Sequence, residues 1–498
     1  MLNTSSRTLS KKDILTLVNE LEEKFPVYDW KYEGIDLWPI IRQLIFKHFL
    51  EKKNTTKKKK KDVNLKNVFK YYFAYKRLLK NSRPADFLVS ANQIYRNQLE
   101  NTSYNRFADP LLDQLEEMGH KGSLVEQSKT DVYITKVYKN NRFQKLDDAI
   151  NWGNLRVRIS KKLHKVAPLV LIGFDDFLRA ISKVDDKLTK KINLHKVKNI
   201  AYRINRNKSL AKDLLKKIKP KAVLLVCYYG EWQQALLVAA KEMKIPTFDI
   251  QHGIIYKEHY SYGNYSHIPS SGLSTLPDYF WTWSQYESNV INSWSPQLAH
   301  QAVALGNPWL MVFKENKIPQ IQDISELLDP TKKLILYTLG NRGEQFPDYL
   351  VSFIKEYNRN YQFWFRLHPR QLPELDNIRM ELERLEILDL INIEEATVLP
   401  LPNILKNTSL HITLMSSVAI EAAGMEVKSL ILHTEGKEYY QDHEIKEYCC
   451  FYDDETEKIE QVIKGLTEVK RNSGITSITL KSTCEELLAL CEDFPYTK

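Results

Sequence analysis

From residue 84 onward, short continuous apolar runs alternate with segments of helical spacing, and this alternation constrains the fold more than any other feature of the chain. FLVSA (87–91), GSLVEQ (122–127), KAVLLVCYY (221–229) and TFDIQHG (247–253) have the length and apolar content of strands. VAPLVLIGF (166–174), DYFWTWS (278–284) and AVALG ending at Gly306 read the same way. Between them lie helical patterns, such as PLLDQLEEMG (110–119), closed by Gly119, and a stretch from Glu231 to Lys244. GNPWLMVFKENKIPQ, beginning at Gly306, has the look of a linker. The texture then resumes with KLILYTLG (333–340), QFWFRLH (362–368), ILDLINI (387–393), LHITLM (410–415) and KSLILH (428–433). Strands alternating with helices in both halves predict an α/β protein with two doubly wound parallel sheets. The expected division is an N-terminal helical segment (1–50), a basic segment (51–83), a first domain (84–310) and a second domain (311–498).

Charge is concentrated. Of 72 Lys+Arg and 62 Asp+Glu, residues 51–82 hold 12 basic against 2 acidic and residues 183–221 hold 14 against 3, leaving 46 against 57 elsewhere. The first segment interleaves the run Lys57 to Lys61 with Val68, Phe69, Tyr71, Tyr72, Phe73 and Tyr75. That mixture suits an anionic membrane surface, where each basic residue contributes about 1 kcal/mol; a solvated insertion is the plainer alternative. No nucleic-acid-binding motif accompanies the basicity. No apolar run approaches the roughly 18 residues needed to span a bilayer, and the N-terminus lacks the apolar core of a secretory signal. Five cysteines without a CxxC pair fit a reduced compartment. The expectation is a cytoplasmic chain, peripheral to the inner face of the cell membrane.

Two stretches near the C-terminus place polar residues where strands end: YQFWFRLHPR (361–370) and SLHITLMSSVAIEAAGMEVKSLILH (409–433). Arg366 and His368 close the first run. Ser416 and Ser417 close the second and open a helix carrying Glu421. Ligands of open α/β sheets sit at the carboxyl ends of strands, and a helix start there supplies free N–H groups. The same serines would serve equally well as ordinary helix caps. Gly340, Asn341, Arg342 and Gly343 form a Gly-flanked turn that would let backbone approach a phosphate. In the first half, His252 ends one strand and Glu231 ends another; either has the chemistry of a general base. His259, Tyr260, Tyr262, Tyr265 and His267 follow as an aromatic loop, able to stack on sugar rings or to fill core. The chain has no Asp-x-Asp, no P-loop and no G-x-G-x-x-G, so no metal or redox cofactor is expected.

QHG in the first half, followed by RLHP and SS-x3-E in the second, resembles bacterial GT-B transferases of surface-polysaccharide synthesis, over roughly residues 220–440. The nearest in motif are capsule-synthesis transferases, CMP-sugar transferases and CDP-glycerol glycerophosphotransferases. The resemblance implies a GT-B fold in which the second domain holds a CMP-, CDP- or UDP-linked donor. His368, with Arg366, would contact the donor phosphate, Glu421 the ribose, and His252 would activate a glycan or lipid-linked acceptor. The acidic D/E-D/E-G element of sialyltransferases is absent, so a sialic acid donor is not implied. A sugar-nucleotide epimerase of the same fold and a non-catalytic, membrane-docked assembly protein are the alternatives.

Overall fold

The computed structural model describes residues 9–50, 65–100, 102–128, 136–153, 155, 169–296, 298–319, 323–340, 345–368, 371–453, 458–468 and 478–495. Two parallel sheets dominate it. The first contains β1 (Phe87–Asn92), β4 (Gly122–Gln127), β5 (Phe143–Lys145), β6 (Ala222–Val226), β7 (Thr247–Ile250), β8 (Tyr279–Thr282) and β9 (Gln301–Ala304). Their spatial order is β9-β8-β7-β6-β1-β4-β5. Between β1 and β4 the chain inserts an antiparallel hairpin, β2 (Arg96–Leu99) and β3 (Thr102–Asn105). The second sheet orders β10 (Lys333–Thr338), β11 (Tyr361–Arg366), β12 (Ile391–Asn392), β13 (Thr408–Thr413), β14 (Ser429–Ile431) and β15 (Cys449–Phe451) as β12-β11-β10-β13-β14-β15.

Both orders reverse once. In the first sheet the chain runs outward from β1 to β4 and β5, then returns to the other side of β1 with β6. In the second it runs from β10 to β11 and β12, then returns beside β10 with β13. Each reversal leaves a crevice at the carboxyl ends of the two central strands, β1/β6 and β10/β13. This is the GT-B arrangement expected from the sequence. Apolar composition explains the strands: β6 is buried at every position, and β1 likewise, since helices cover both faces of a parallel sheet.

Helices α1 (Lys11–Lys24) and α2 (Trp38–Leu50) pack on the first sheet's helices rather than standing apart. Trp30, Trp38 and Phe177 meet edge to face there. Arg42 and Glu22 are both fully buried 3.6 Å apart, and Arg42 lies over the Tyr265 ring. Helix α3 (Leu65–Asn81) docks through Tyr75, whose hydroxyl donates to Asp213 of the helix spanning Leu194–Ile218. Its Phe69 and Phe73 point to solvent, 59% and 63% exposed. Helix α4 (Ala108–Glu117) follows the hairpin. The last helix, α5 (Leu480–Glu492), returns from the second sheet to pack on α4.

Two expected strands take other forms. VAPLVLIGF is not a strand where it is described: residues 169–171 are irregular and 172–173 form a turn that enters a helix at Phe174. Gly173 adopts φ +73°, and Asp175 and Asp176 suit the positive end of that helix. Leu169 and Leu171 are buried while Val170 and Ile172 are exposed, so the run anchors by its alternate side chains. ILDLINI contributes only Ile391–Asn392 to the sheet, because Leu388–Leu390 closes into a 3-10 turn.

His411 sits inside β13, fully buried, with its ring nitrogens 2.8 Å from Thr338 Oγ1 of β10 and 2.8 Å from Ser429 Oγ of β14. Burial holds its pKa down at about 3. Because the folded value lies below the unfolded one of about 6.5, its contribution to stability is full above pH 6.5 and is lost as pH falls towards 3. Urea unfolding between pH 7 and 4 should therefore show His411→Asn losing less stability on acidification than the unchanged protein, by up to about 1.4 kcal/mol per pH unit. Parallel stability curves for the two proteins would contradict this.

Candidate functional site

The crevice of the second sheet gathers most of the residues singled out in the sequence. Register brings Thr338, Arg366 and Thr413 side by side at the ends of β10, β11 and β13. Arg366 Nη1 donates to the carbonyl oxygens of Ala396 (2.6 Å) and Leu399 (2.7 Å), which fixes the guanidinium at the sheet's edge. It has no other hydrogen bond among the described residues. Burial lowers its pKa to about 10, helped by the positive charge of Arg106 and opposed by Glu421.

Glu421 lies on the short helix Val418–Gly424, only 7% exposed, and its carboxylate makes no hydrogen bond among the described residues. Burial pushes its carboxyl up; Arg106 and Arg366 pull it back. Ser417 does not cap this helix. Ser416 Oγ accepts a long bond of 3.3 Å from the Val418 N–H, and the Ser416 carbonyl is held by the Tyr440 hydroxyl. The serines are half-buried at the helix start, as expected, but a seven-residue helix brings little dipole.

Gly340 and His368 are tied together by a residue the sequence did not flag. Gln371, buried, donates from Nε2 to the Gly340 carbonyl (3.0 Å) and accepts the His368 N–H at Oε1 (2.9 Å). One amide thus fixes the loops after β10 and β11. His368 is half-buried at the mouth of the crevice. Arg342, with Asn341 and Gly343, lies outside the described residues.

The facing crevice of the first sheet is aromatic. His252 Nε2 is 3.1 Å from the Tyr229 hydroxyl, and its ring packs near Tyr95, Tyr229 and Tyr262. His259 accepts the N–H groups of Ser261 and Tyr262 at Nδ1, and burial, with the neighbouring His252, lowers its pKa to about 3. Beneath them Asp249 accepts from the Tyr262 hydroxyl (2.6 Å) and the Tyr228 N–H (2.8 Å), with burial raising its pKa to about 7. Tyr262 and Tyr265 are buried, so the aromatic loop serves largely as core. Glu231 is elsewhere engaged: it opens the helix Glu231–Glu242 and binds Arg203 through both oxygens, at 2.6 and 2.8 Å.

Arg106 flanks the first crevice, beside the Tyr95 ring that packs on His252. It follows β3, where the chain leaves the β1 end for α4, and stacks against Tyr95 and Phe107. Its Nε is buried without a hydrogen-bond partner. A basic residue just before the first helix of a doubly wound sheet is a usable sequence signal, since phosphates are commonly held at that turn. A separate cavity of about 1040 Å³ lies between α3 and the β4–β5 edge, beside Lys70, Arg77 and Lys145, and none of the crevice residues lines it. Among the described residues no His, Cys, Asp or Glu side chains group as metal ligands.

No family model matches the chain, and no curated protein matches it. Solved structures do resemble it. The UDP-GlcNAc 2-epimerase of Methanocaldococcus jannaschii, solved with UDP-GlcNAc and UDP, is 16% identical, with a TM-score of 0.45 over 81% of this chain and 99% of its own. A putative UDP-N-acetylglucosamine 2-epimerase from Listeria monocytogenes is 14% identical, TM-score 0.46, over 82% and 96%. The wall teichoic acid polymerase TagF is 11% identical, TM-score 0.42, over 87% and 94%.

Gln371 provides a direct test of how the crevice is held. Gln371→Ala leaves a buried carbonyl and N–H without their partner, at a cost of about 1–3 kcal/mol. Chemical denaturation should register that loss, whereas Glu231→Gln, breaking an exposed pair, should cost under about 1 kcal/mol. Equal effects would mean the amide does not brace the two loops.

Proposed function

We propose that the chain is a metal-independent GT-B glycosyltransferase that moves a sugar from a nucleotide-activated donor to a glycan or lipid-linked acceptor of the cell surface. The observation that carries this reading is the pair of facing crevices with unlike chemistry. One holds a guanidinium with unused donors and a buried carboxylate; the other holds a histidine among tyrosines. In this reading Arg366, His368 and the Ser416–Ser417 turn hold the donor phosphate, with Gly340 and Arg342 beside it and Glu421 accepting ribose hydroxyls. Preorganised cations there stabilise the charge left on the nucleotide as the glycosidic bond breaks. His252 takes the proton from the acceptor hydroxyl as that oxygen attacks the anomeric carbon. Glu231 is the second candidate for this role, which its pairing with Arg203 makes less apt.

The epimerase reading uses the same donor crevice and is separable by chemistry. Inverting a sugar carbon that bears hydrogen exchanges that hydrogen with solvent and needs no acceptor. UDP-GlcNAc, bound by the archaeal structural relative, is a suitable first probe. Incubation in deuterated water without acceptor should leave the sugar unlabelled if the chain is a transferase. Incorporated deuterium would establish the epimerase instead.

His368→Ala should weaken nucleotide binding by about 1–3 kcal/mol in calorimetry. His252→Ala should retain that binding and lose turnover by about 100-fold or more. Full turnover in His252→Ala would transfer the base role to Glu231, which Glu231→Gln then tests.

A lipid-linked acceptor would wait at the membrane, and we assign α3 to that surface. Support comes from its exposed Phe69 and Phe73, one helical turn apart, beside Lys70, Lys76, Arg77 and Lys80. Lys57 to Lys61 lie outside the described residues, and no helix among the described residues is long and apolar enough to cross a membrane. Sedimentation with anionic vesicles should fall as salt shortens the Debye length from about 10 Å at 0.1 M to about 3 Å at 1 M. Phe69→Ser with Phe73→Ser should weaken it further; binding unchanged by salt and by both substitutions would remove the membrane from the proposal.

A further inference from the structure

Arg106 stacks on Tyr95 and Phe107, but those rings satisfy none of its N–H donors. Among the described residues it makes no side-chain hydrogen bond and no ion pair, and its Nε is sealed from water. A buried donor left unpaired is costly, and charge raises that cost. Phe107 and Ala108, which follow Arg106, belong to one apolar cluster with Ala419 and Ile420, the neighbours of Glu421, and the positive charge on Arg106 opposes protonation of both Arg366 and Glu421. Three charged groups therefore share the space between the sheets: one guanidinium from each domain and one carboxylate, none paired to another. Their sum is one positive charge, and their free donors are those of planar forks suited to phosphate oxygens.

We propose that Arg106 is the first domain's phosphate ligand, closing on the same phosphate that Arg366 approaches from the second. The ligand class is a nucleoside diphosphate or the diphosphate of a nucleotide-sugar. The inference rests on the donor site proposed above and adds to it a contact from the opposite domain. A dianion between the two guanidinium groups satisfies the buried Arg106 Nε, cancels the repulsion between the arginines and leaves Glu421 free for a hydroxyl. Binding of the phosphate thereby couples the two domains, since each contributes a donor that the other cannot supply. The backbone N–H of Arg106 bonds the Tyr95 carbonyl, so the side chain can be replaced without disturbing the turn that carries it.

The experiment is calorimetric titration of the full chain with UDP, CDP, CMP and inorganic pyrophosphate. Arg106→Gln should weaken UDP, CDP and pyrophosphate by about 10- to 100-fold, the range for hydrogen bonds to charged groups. Arg106→Lys, which keeps the charge and loses the planar fork, should fall between. If the unchanged protein binds these ligands and both variants bind them equally well, Arg106 is not a phosphate ligand, while the donor site stands. If the unchanged protein binds none of them, both readings fall. Should Arg106→Gln fail to fold, the Lys variant decides alone, and unchanged affinity in it overturns the assignment.

Discussion

A buried polar network at the carboxyl end of β1 and β4 fixes the part of the molecule on which the site depends. Arg96 Nε donates to Glu126 at 2.7 Å, Asn105 donates to the other Glu126 oxygen at 2.7 Å, and Arg142 donates to Asp109 at 2.8 Å. Asp109 also accepts the Asn105 N–H. All five side chains are almost completely removed from water. Burial raises the Asp109 and Glu126 carboxyls despite their arginine partners. Such a network adds little net stability over an apolar core of equal volume, but loss of one member costs about 3–5 kcal/mol, because the others stay buried and unpaired. Its value here is geometric. The hairpin β2–β3 has no place in either large sheet, and these bonds hold it against β4 so that Tyr95 and Arg106 meet at the crevice.

The second fastening comes from the chain's end. Helix α5 leaves the second sheet and packs on α4, the helix that starts two residues beyond Arg106, so one apolar cluster runs from Leu111 and Leu115 through Cys484 and Leu487. Polar contacts follow the same path. Glu287 and His443, both fully buried, pair across the domains at 3.2 Å, and Gln251 donates to the same carboxylate. Gln251 is the residue before His252. The glutamine of the QHG motif thus belongs to the joint between domains, and its histidine to the crevice. Arg106 and His252 are each adjacent to a contact that sets one domain against the other.

Both central crevices were legible because each is built from strand ends, and strand ends are marked by apolar runs breaking into polar residues. LHITLM followed by SS, and QFWFR followed by LH, carry that mark plainly. Arg106 carried no such mark: NRFADP follows a hairpin of mixed polarity that the alternating pattern does not announce. Gln371 was equally hidden, since an amide bonding two backbone groups acts through position rather than through its chemistry. VAPLVLIGF misled for the opposite reason. Its composition is that of a strand, but where it is described its buried side chains, Leu169 and Leu171, join the apolar cluster of the N-terminal helices and are not part of either sheet. Periodicity reports which side chains leave water, and only topology decides what backbone they do it on.

The two crevices divide electrostatic work. On the first-domain side burial lowers His259 to about 3 and, as the first cause in each case, drives the tyrosines at 95, 229 and 262 far above their ordinary values. Asp249, raised to about 7, lies below this layer and can lose its charge near neutrality. On the second-domain side Arg366 lies near the Glu421 carboxylate, and the charge of Arg106, from the first domain, acts on both. In the proposed transfer, surroundings of low polarity would disfavour charge on the groups they enclose, while the arginines would draw an anion and stabilise charge that develops on it. An imidazole placed among the arginines would have its proton affinity reduced, and an anion placed among the tyrosines would be desolvated without compensation. In the proposed transfer, separation of the two tasks onto opposing sheets would let one cleft hold both, with the bond to be broken lying between them.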